Sequence, residues 1–390
     1  MEDKRTNARL WSKSFFLITL LNLLLFFGFQ LLLPTLPVHV QGMGGDDAVI
    51  GWVTGLFTVS ALLIRPFTGA ALDRFGRKWL FIAGLGLFVL VTVSYSYLPT
   101  IGLILLFRFL HGFGWGVAST ASNTIASDII PAKRFGEGMA FFTLAANVAM
   151  AVAPAVGLYI LHAVGFRTVS HLSALLVVGG FLLAFLFRYK QMDEVGETAH
   201  RIAFIERSSI RPSLVIFFVS VTYGAINSFL SLYAREKGIE NIGVFFTVYA
   251  VSMLLSRPGF GLLVDRKGVS VAVVPGMILV MLAMYALHRA ESLTMFLVAA
   301  ALYGVGFGAS QTSLQTMAVI HAPRERLGIA NSTFFTGFDS GIGVGSVVLG
   351  MVSKRVGYSR MFLISAASVV VALLLFFIFS LEQSRMSKEK

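Results

Sequence analysis

The sequence predicts an all-α membrane protein of twelve transmembrane helices in two pseudo-symmetric six-helix bundles. Three observations carry that prediction. Charged residues make up only 13% of the 390 residues and hydrophobic ones 56%, with a mean hydropathy of +0.82; average soluble proteins carry roughly 25% charged residues. The charges sit in short clusters between apolar runs of about 20 residues, the length a helix needs to cross a bilayer. And the chain repeats itself.

The repeat holds at a constant offset of 192 residues, which carries Val59 onto Val251. Residues 59–76 read VSALLIRPFTGAALDRFG and residues 251–268 read VSMLLSRPGFGLLVDRKG. The same offset carries Gly112, Gly114 and Gly116 onto Gly304, Gly306 and Gly308, and Pro131, Arg134 and Gly136 onto Pro323, Arg326 and Gly328. Parallel copies of one half are a signature of membrane transporters. The reading divides the chain into an N-terminal bundle (1–187), a cytoplasmic linker (188–211) and a C-terminal bundle (212–390).

The net charge of +12 raises the possibility of nucleic acid, but its distribution argues for topology. With the amino terminus inside, the inner segments hold most Lys and Arg. The outer ones hold only Arg167, Arg235, Lys237, Arg289, Lys354, Arg355 and Arg360. Positive loops stay in the cytoplasm, so both termini are expected there, in a multi-pass protein of the cell membrane. No cysteine is present, which excludes a disulfide framework and thiol chemistry. The polar, basic residues 1–13 followed by an apolar run resemble a signal peptide. The run is too long for one, however, and no small-residue cleavage site follows.

Taken in order, helix 1 is expected over 14–40, with Pro34 and Pro37 able to bend it or release carbonyls. A short outer loop follows over 41–48. Helix 2 ends in Gly69-Ala-Ala-Leu-Asp73-Arg74-Phe-Gly76-Arg77-Lys78, a cationic turn in which Gly76 supplies a conformation other residues resist. Helix 4 is expected over 101–129 and carries Arg108, His111 and the Gly112, Gly114, Gly116 face. Helix 5 presents Ala145, Ala149, Ala153 and Gly157 at spacing four, and helix 11 presents Gly337, Gly341 and Gly345, both suited to close helix contact. Helix 6 ends near residue 187, and helix 12 near 381. Ala300 stands where the repeat would put Arg108, and Ile320 where it would put Asp128.

The loop after helix 2, read as G-x-x-x-D-R-x-G-R-[RK] and echoed after helix 8, resembles the signature loop of the major facilitator superfamily. Arg108 with its Gly-rich face resembles that superfamily's helix-4 motif, and the likeness covers essentially the whole chain. The helix-5 face is similar to a degraded form of the antiporter motif, which points to the twelve-helix bacterial drug/proton antiporters. Their helix 1 often carries an acid where this chain has Gln30. The resemblance implies a conformational latch of Gly69, Asp73, Arg74, Gly76, Arg77, Lys78 and Asp128. In it Asp128 pairs with Arg74 or Arg77, and Asp73 faces the amino-terminal end of helix 11.

Ionisable groups inside the membrane are few, and such groups are expensive there. Arg65 and Arg257 lie near helix ends and read as structural. Arg108, His111 and Asp339 reach mid-membrane depth at 1.5 Å per residue and are the candidates for proton coupling. A structural ion pair or helix contact is the competing reading for Arg108 and Asp339. Gln30, Asn123, Tyr223, Asn227, Gln311 and Gln315, with Asn22 and Asn147, are candidates for a substrate cavity, although each singly reads equally as a helix–helix hydrogen bond.

No nucleotide-binding P-loop, metal-ligand cluster or catalytic triad is present, so the reading is a non-enzyme with no cofactor. Its partners are a small-molecule substrate, protons as coupling ion and the lipid bilayer, with no nucleic acid, and the protein is a monomer. The leading function is proton-coupled antiport that exports a small amphipathic organic compound by alternating access. The alternative is a symporter, uniporter or exporter of a specific metabolite, such as a sugar or metal-chelating metabolite. A third class is a non-transporting membrane sensor or scaffold.

Overall fold

The computed structural model describes residues 10–131, 134–186, 205–320, 322 and 327–388. It describes their side chains except at 69–70, 73–75, 135–137, 140, 257–259, 261–267, 327–328 and 381–388. In hydrocarbon every backbone N–H and C=O must be satisfied within the protein, which leaves the helix as the form each apolar run adopts.

The helices are α1 Lys13–Gly42, α2 Asp47–Phe75, α3 Arg77–Ser94 with a 3-10 turn at Tyr95–Tyr97, α4 Ile101–Ile129, α5 Phe135–Val164 and α6 Phe166–Leu186. They continue with α7 Arg207–Glu236, α8 Gly243–Lys267, α9 Ser270–His288 and α10 Leu293–Ile320. The last helical run, Leu327–Lys388, is broken at Gly357 (φ 79°, ψ 166°). It is therefore two helices, α11 (327–356) and α12 (358–388), which brings the described helices to twelve.

Side chains close several helix starts. Asp46 Oδ1 accepts the Val49 N–H at 2.9 Å at the start of α2, and Thr100 Oγ1 accepts the Leu103 N–H at 3.4 Å at the start of α4. Glu206 caps α7 through the Ser208 N–H. That cap corrects the sequence reading of a linker to residue 211: the helix begins at Arg207, because a carboxylate there satisfies the first orphan N–H groups. Residues 188–204 lie outside the described residues. Helix α12 likewise runs past 381 to Lys388, where Glu, Gln, Lys and Arg are good helix formers. Helix α1 continues through both prolines to Gly42.

The repeat is visible in the backbone. Gly76 (φ 83°) and Gly268 (φ 85°) turn α2 into α3 and α8 into α9. Gly165 (φ 99°) and Gly357 (φ 79°) turn α5 into α6 and α11 into α12. Each pair is separated by the offset of the sequence repeat, and each angle lies where a Cβ is strained. Packing repeats as well. A Cβ on Gly114 would lie 2.9 Å from the Phe88 nitrogen and 3.2 Å from the Gly84 oxygen; a Cβ on Gly306 would lie 2.9 Å from the Val280 nitrogen and 2.6 Å from the Gly276 oxygen. Gly116 packs on Ala61 and Ile64 as Gly308 packs on Met253 and Ser256. These glycines let α4 lie against α3 and α2, and α10 against α9 and α8, at near-backbone distance.

The chain forms two compact units. One comprises the described residues up to Leu32 and from Ser60 to α6; the other comprises Leu33–Val59 and the described residues from the linker onward. The second unit thus takes in the end of α1 and the start of α2. In it the Gly337, Gly341 and Gly345 face of α11 lies on α7, against Ser213, Phe217 and Val221. In the first unit Ala149 and Ala153 of α5 are fully buried.

Candidate transport site

In the first unit, α4 carries Arg108 and His111 one turn apart, and both are fully buried. Arg108 Nη1 lies 3.3 Å from His111 Nδ1, and the Tyr95 hydroxyl, from the turn after α3, lies 3.1 Å from the same nitrogen. Guanidinium only donates, so the Arg108 contact fits a neutral ring with Nδ1 as acceptor, and Arg108 also hydrogen bonds with Tyr95. A further proton on Nδ1 would point at the guanidinium. Protonation of His111 and its contact with Arg108 therefore exclude each other.

Aromatic rings surround this pair. Phe88 of α3 lies 4.3 Å from the His111 ring, and Phe29 of α1 lies 6.1 Å from it. Phe29 stacks on Trp115 at 4.4 Å, and Phe26 meets Trp115 edge-on at 4.8 Å. Gln30, beside Phe29 in sequence, is 5% exposed, and its Oε1 has no hydrogen-bond partner among the described residues.

The repeat carries His111 and Trp115 onto Tyr303 and Phe307, and an aromatic cluster recurs there in the second unit. Phe307 stacks on Tyr303 at 5.2 Å and on Tyr223 at 5.2 Å, with Tyr249 5.5 Å from Tyr303 and Phe338 6.1 Å from Phe307. Tyr223 hydrogen bonds with Asn227 and Tyr249. Tyr303 meets the Thr222 hydroxyl at 3.0 Å. Asp339 follows Phe338 on α11 and is half-buried. It belongs to the second unit, while Arg108 and His111 belong to the first.

Gln311 and Gln315 are half-buried on α10. The Gln315 amide donates to Asn331 Oδ1 of α11 at 3.2 Å, beside a cavity of about 270 Å³. Asn123 is exposed on α4, and its amide donates to Ser119 O of its own helix at 2.8 Å.

At the α2–α3 turn, Arg77 Nε meets Asp128 Oδ2 at 2.9 Å while its Nη1 reaches Leu72 O at 3.2 Å. The structure thus pairs Asp128 with Arg77. Lys78 lies over the Trp79 ring at 5.1 Å. The side chains of Gly69, Asp73 and Arg74 lie outside the described residues. The paired groups are partly exposed, 18% and 31%, and such pairs contribute about 0.2–1 kcal/mol. Asp128→Asn is expected to lower the melting temperature by only about 1 °C while slowing transport several-fold. A thermal melt run beside a flux assay checks this, and an unchanged flux would deny the pair a working role.

Sequence reasoning missed a second contact region, at the opposite ends of the helices. Thr54 Oγ1 of α2 meets Ser228 Oγ of α7 at 2.9 Å, and Ser228 meets Ser346 Oγ of α11 at 3.1 Å. Gly51 of α2 packs on Ser346, and Gly350 of α11 packs on Asp47. At the rim, Lys354 Nζ meets Asp46 at 2.7 Å, and the Tyr358 hydroxyl donates to Asp47 at 2.6 Å. The Lys354 hydrogen bond, helped by the Val49 N–H, holds the Asp46 carboxyl below its ordinary value. A lowered carboxyl contributes fully above that ordinary value, about 3.9, and loses its contribution as pH falls through the lowered one. The rim pair is therefore constant across neutral pH. Gly51-x-x-x-Gly55 was the one sequence signal for this seam.

Comparison with known proteins decides the family. The model of the major facilitator superfamily matches residues 18–346 and 212–390. The chain belongs to the major facilitator superfamily. Among superfamily relatives it is 26% identical over 362 residues to the multidrug resistance protein MdtG of Dickeya zeae, covering 88% of each chain. It is 21% identical over 388 residues to the staphylopine export protein of Staphylococcus aureus, covering 93% of this chain and 95% of that one. Among solved structures it resembles the nucleoside transporter NupG (TM-score 0.77, 16% identity, 94% of this chain and 99% of that chain). It also resembles a bacterial homolog of the lysosomal transporter Spinster in an inward-facing state (TM-score 0.76, 17% identity, 95% and 97%). Superfamily membership makes the chain a membrane transporter of small molecules with the twelve-helix fold.

Proposed function

We propose that the protein exports a small amphipathic organic compound across the cell membrane in exchange for protons. In this reading the α2–α3 face is cytoplasmic, following the Lys and Arg distribution, and the two repeats rock about a midplane site. The observation that carries the reading is the buried Tyr95–His111–Arg108 chain. A proton arriving at His111 displaces Arg108, so one event changes both charge and packing in the membrane interior. Asp339 offers the second unit an acid for the same purpose, and the aromatic clusters offer flat apolar surfaces to the substrate. Relatives named for multidrug resistance and export, matched over most of their length, support the outward direction.

The test is efflux of a fluorescent lipophilic cation, ethidium, from energised cells producing the protein. Efflux faster than in control cells and halted by a protonophore is the expected result. Efflux equal to that of the control across a panel of amphipathic dyes would sink the drug-export reading. A dedicated exporter of one compound is the second reading, favoured by the relative named for staphylopine export.

A further inference from the structure

We propose that the cavity between α10 and α11 is a loading subsite for an uncharged hydrogen-bonding group of the transported molecule: a carboxamide, a hydroxyl or the edge of a neutral heterocycle. The cavity, about 270 Å³, is lined by Thr312, Gln315, Thr316, Val319 and Asn331. All five lie inside helices long and apolar enough to span a membrane, and none carries a charge. Thr312, Gln315, Thr316 and Asn331 are half-buried. A polar face at this depth is costly against lipid, so it faces protein or water.

The chemistry is specific. The Gln315 amide is fixed by Asn331 at 3.2 Å, and Thr316 donates its hydroxyl to Thr312 O at 2.9 Å, leaving the Thr316 oxygen as an acceptor. An amide pair both donates and accepts. A carboxylate or ammonium placed here would lose hydration and find no counter-charge among the residues that line the cavity. The size suits one ring or substituent of a ligand, since whole small-molecule sites run to about 300–1,000 Å³.

The repeat sharpens the assignment. Thr312, Gln315, Thr316 and Asn331 correspond to Thr120, Asn123, Thr124 and Met139. The Thr124–Thr120 bond recurs as Thr316–Thr312, but in the first unit the Asn123 amide bonds to Ser119 O of its own helix, and Ser127 bonds to Asn123 O and the Met139 sulfur. Met139 stands where Asn331 completes the amide pair. The halves have diverged at two of these four positions, Asn123 to Gln315 and Met139 to Asn331, and those two form the amide pair of the second patch.

Gln315 is five residues from the end of α10, about 7 Å along the axis. The placement at the cytoplasmic mouth rests on the orientation and export direction proposed above; the ligand class does not. The test therefore reads binding. Coumarin-3-carboxamide and coumarin-3-carboxylate are titrated by fluorescence into purified protein, wild type and Gln315→Leu, with Gln315→Glu as a variant of matched shape. Wild type is expected to bind the carboxamide roughly five- to tenfold tighter than the carboxylate. Gln315→Leu is expected to erase that preference, and Gln315→Glu to weaken the carboxylate further. Equal binding of the two dyes by wild type, no binding of either, or a preference that survives both variants overturns the subsite. The preference found together with absence of transport in vesicles supports the subsite and overturns the transport reading alone.

Discussion

Thr54→Cys combined with Ser228→Cys, once oxidised, is expected to abolish transport, and reduction is expected to restore it. The two hydroxyl oxygens lie 2.9 Å apart, so sulfurs in their places need to approach by about 1 Å to reach the 2.05 Å of a disulfide. The native chain has no cysteine, and the bridge would be the only one possible within it. In the alternating-access reading proposed above, the packed seam of α2, α7 and α11 parts once per cycle, and a covalent tie across it would stop the cycle at one state. A fall in flux of at least tenfold, reversed by reductant, is the expected reading in vesicles. Full activity with the bridge formed, as judged by thiol titration, would mean that the seam does not open during transport.

Gly306→Val carries the largest expected loss of stability. Its Cβ would lie 2.6 Å from the Gly276 oxygen, 2.8 Å from the Leu279 Cβ and 2.9 Å from the Val280 nitrogen. Two of those three atoms are backbone, which cannot rotate away, and valine adds two methyl groups beyond the Cβ. Overpacking costs about 1–3 kcal/mol where side chains can adjust, and here helices must separate. A fall in melting temperature of about 3–5 °C follows from a loss near 3 kcal/mol in a chain of 390 residues. Gly86→Ala is the control: its Cβ meets only Phe181 at 3.6 Å. Alanine is the better helix former, so the melting temperature should hold or rise slightly. Equal melting of wild type and Gly306→Val would contradict the close α9–α10 contact.

Much of this architecture was legible in the sequence because it is periodic. Gly76, Gly165, Gly268 and Gly357 take positive φ at positions the repeat relates in pairs, and the Gly114 and Gly306 faces lie where the motif alignment put them. Arg108 and His111 could be joined from their three-residue spacing alone. Tyr95 could not: it lies in a turn, and its hydroxyl reaches His111 only once α3 packs on α4. Thr54, Ser228 and Ser346 were equally hidden, since each is one hydroxyl among several on its helix and only tertiary packing aligns them. Asn331 drew no notice because its partner Gln315 sits on another helix. The α7 boundary was misplaced for a local reason, a glutamate cap read as part of a polar linker.

The most direct test of proton-coupled export is a pH measurement in proteoliposomes loaded with a pH-reporting dye, under an imposed proton gradient. Ethidium and the other panel compounds are added to wild type, His111→Gln and Asp339→Asn in turn. The account predicts that a transported compound triggers proton movement opposite to its own in wild type, and that at least one of the two variants moves the compound without moving protons. Wild-type transport that is indifferent to the gradient would contradict the account.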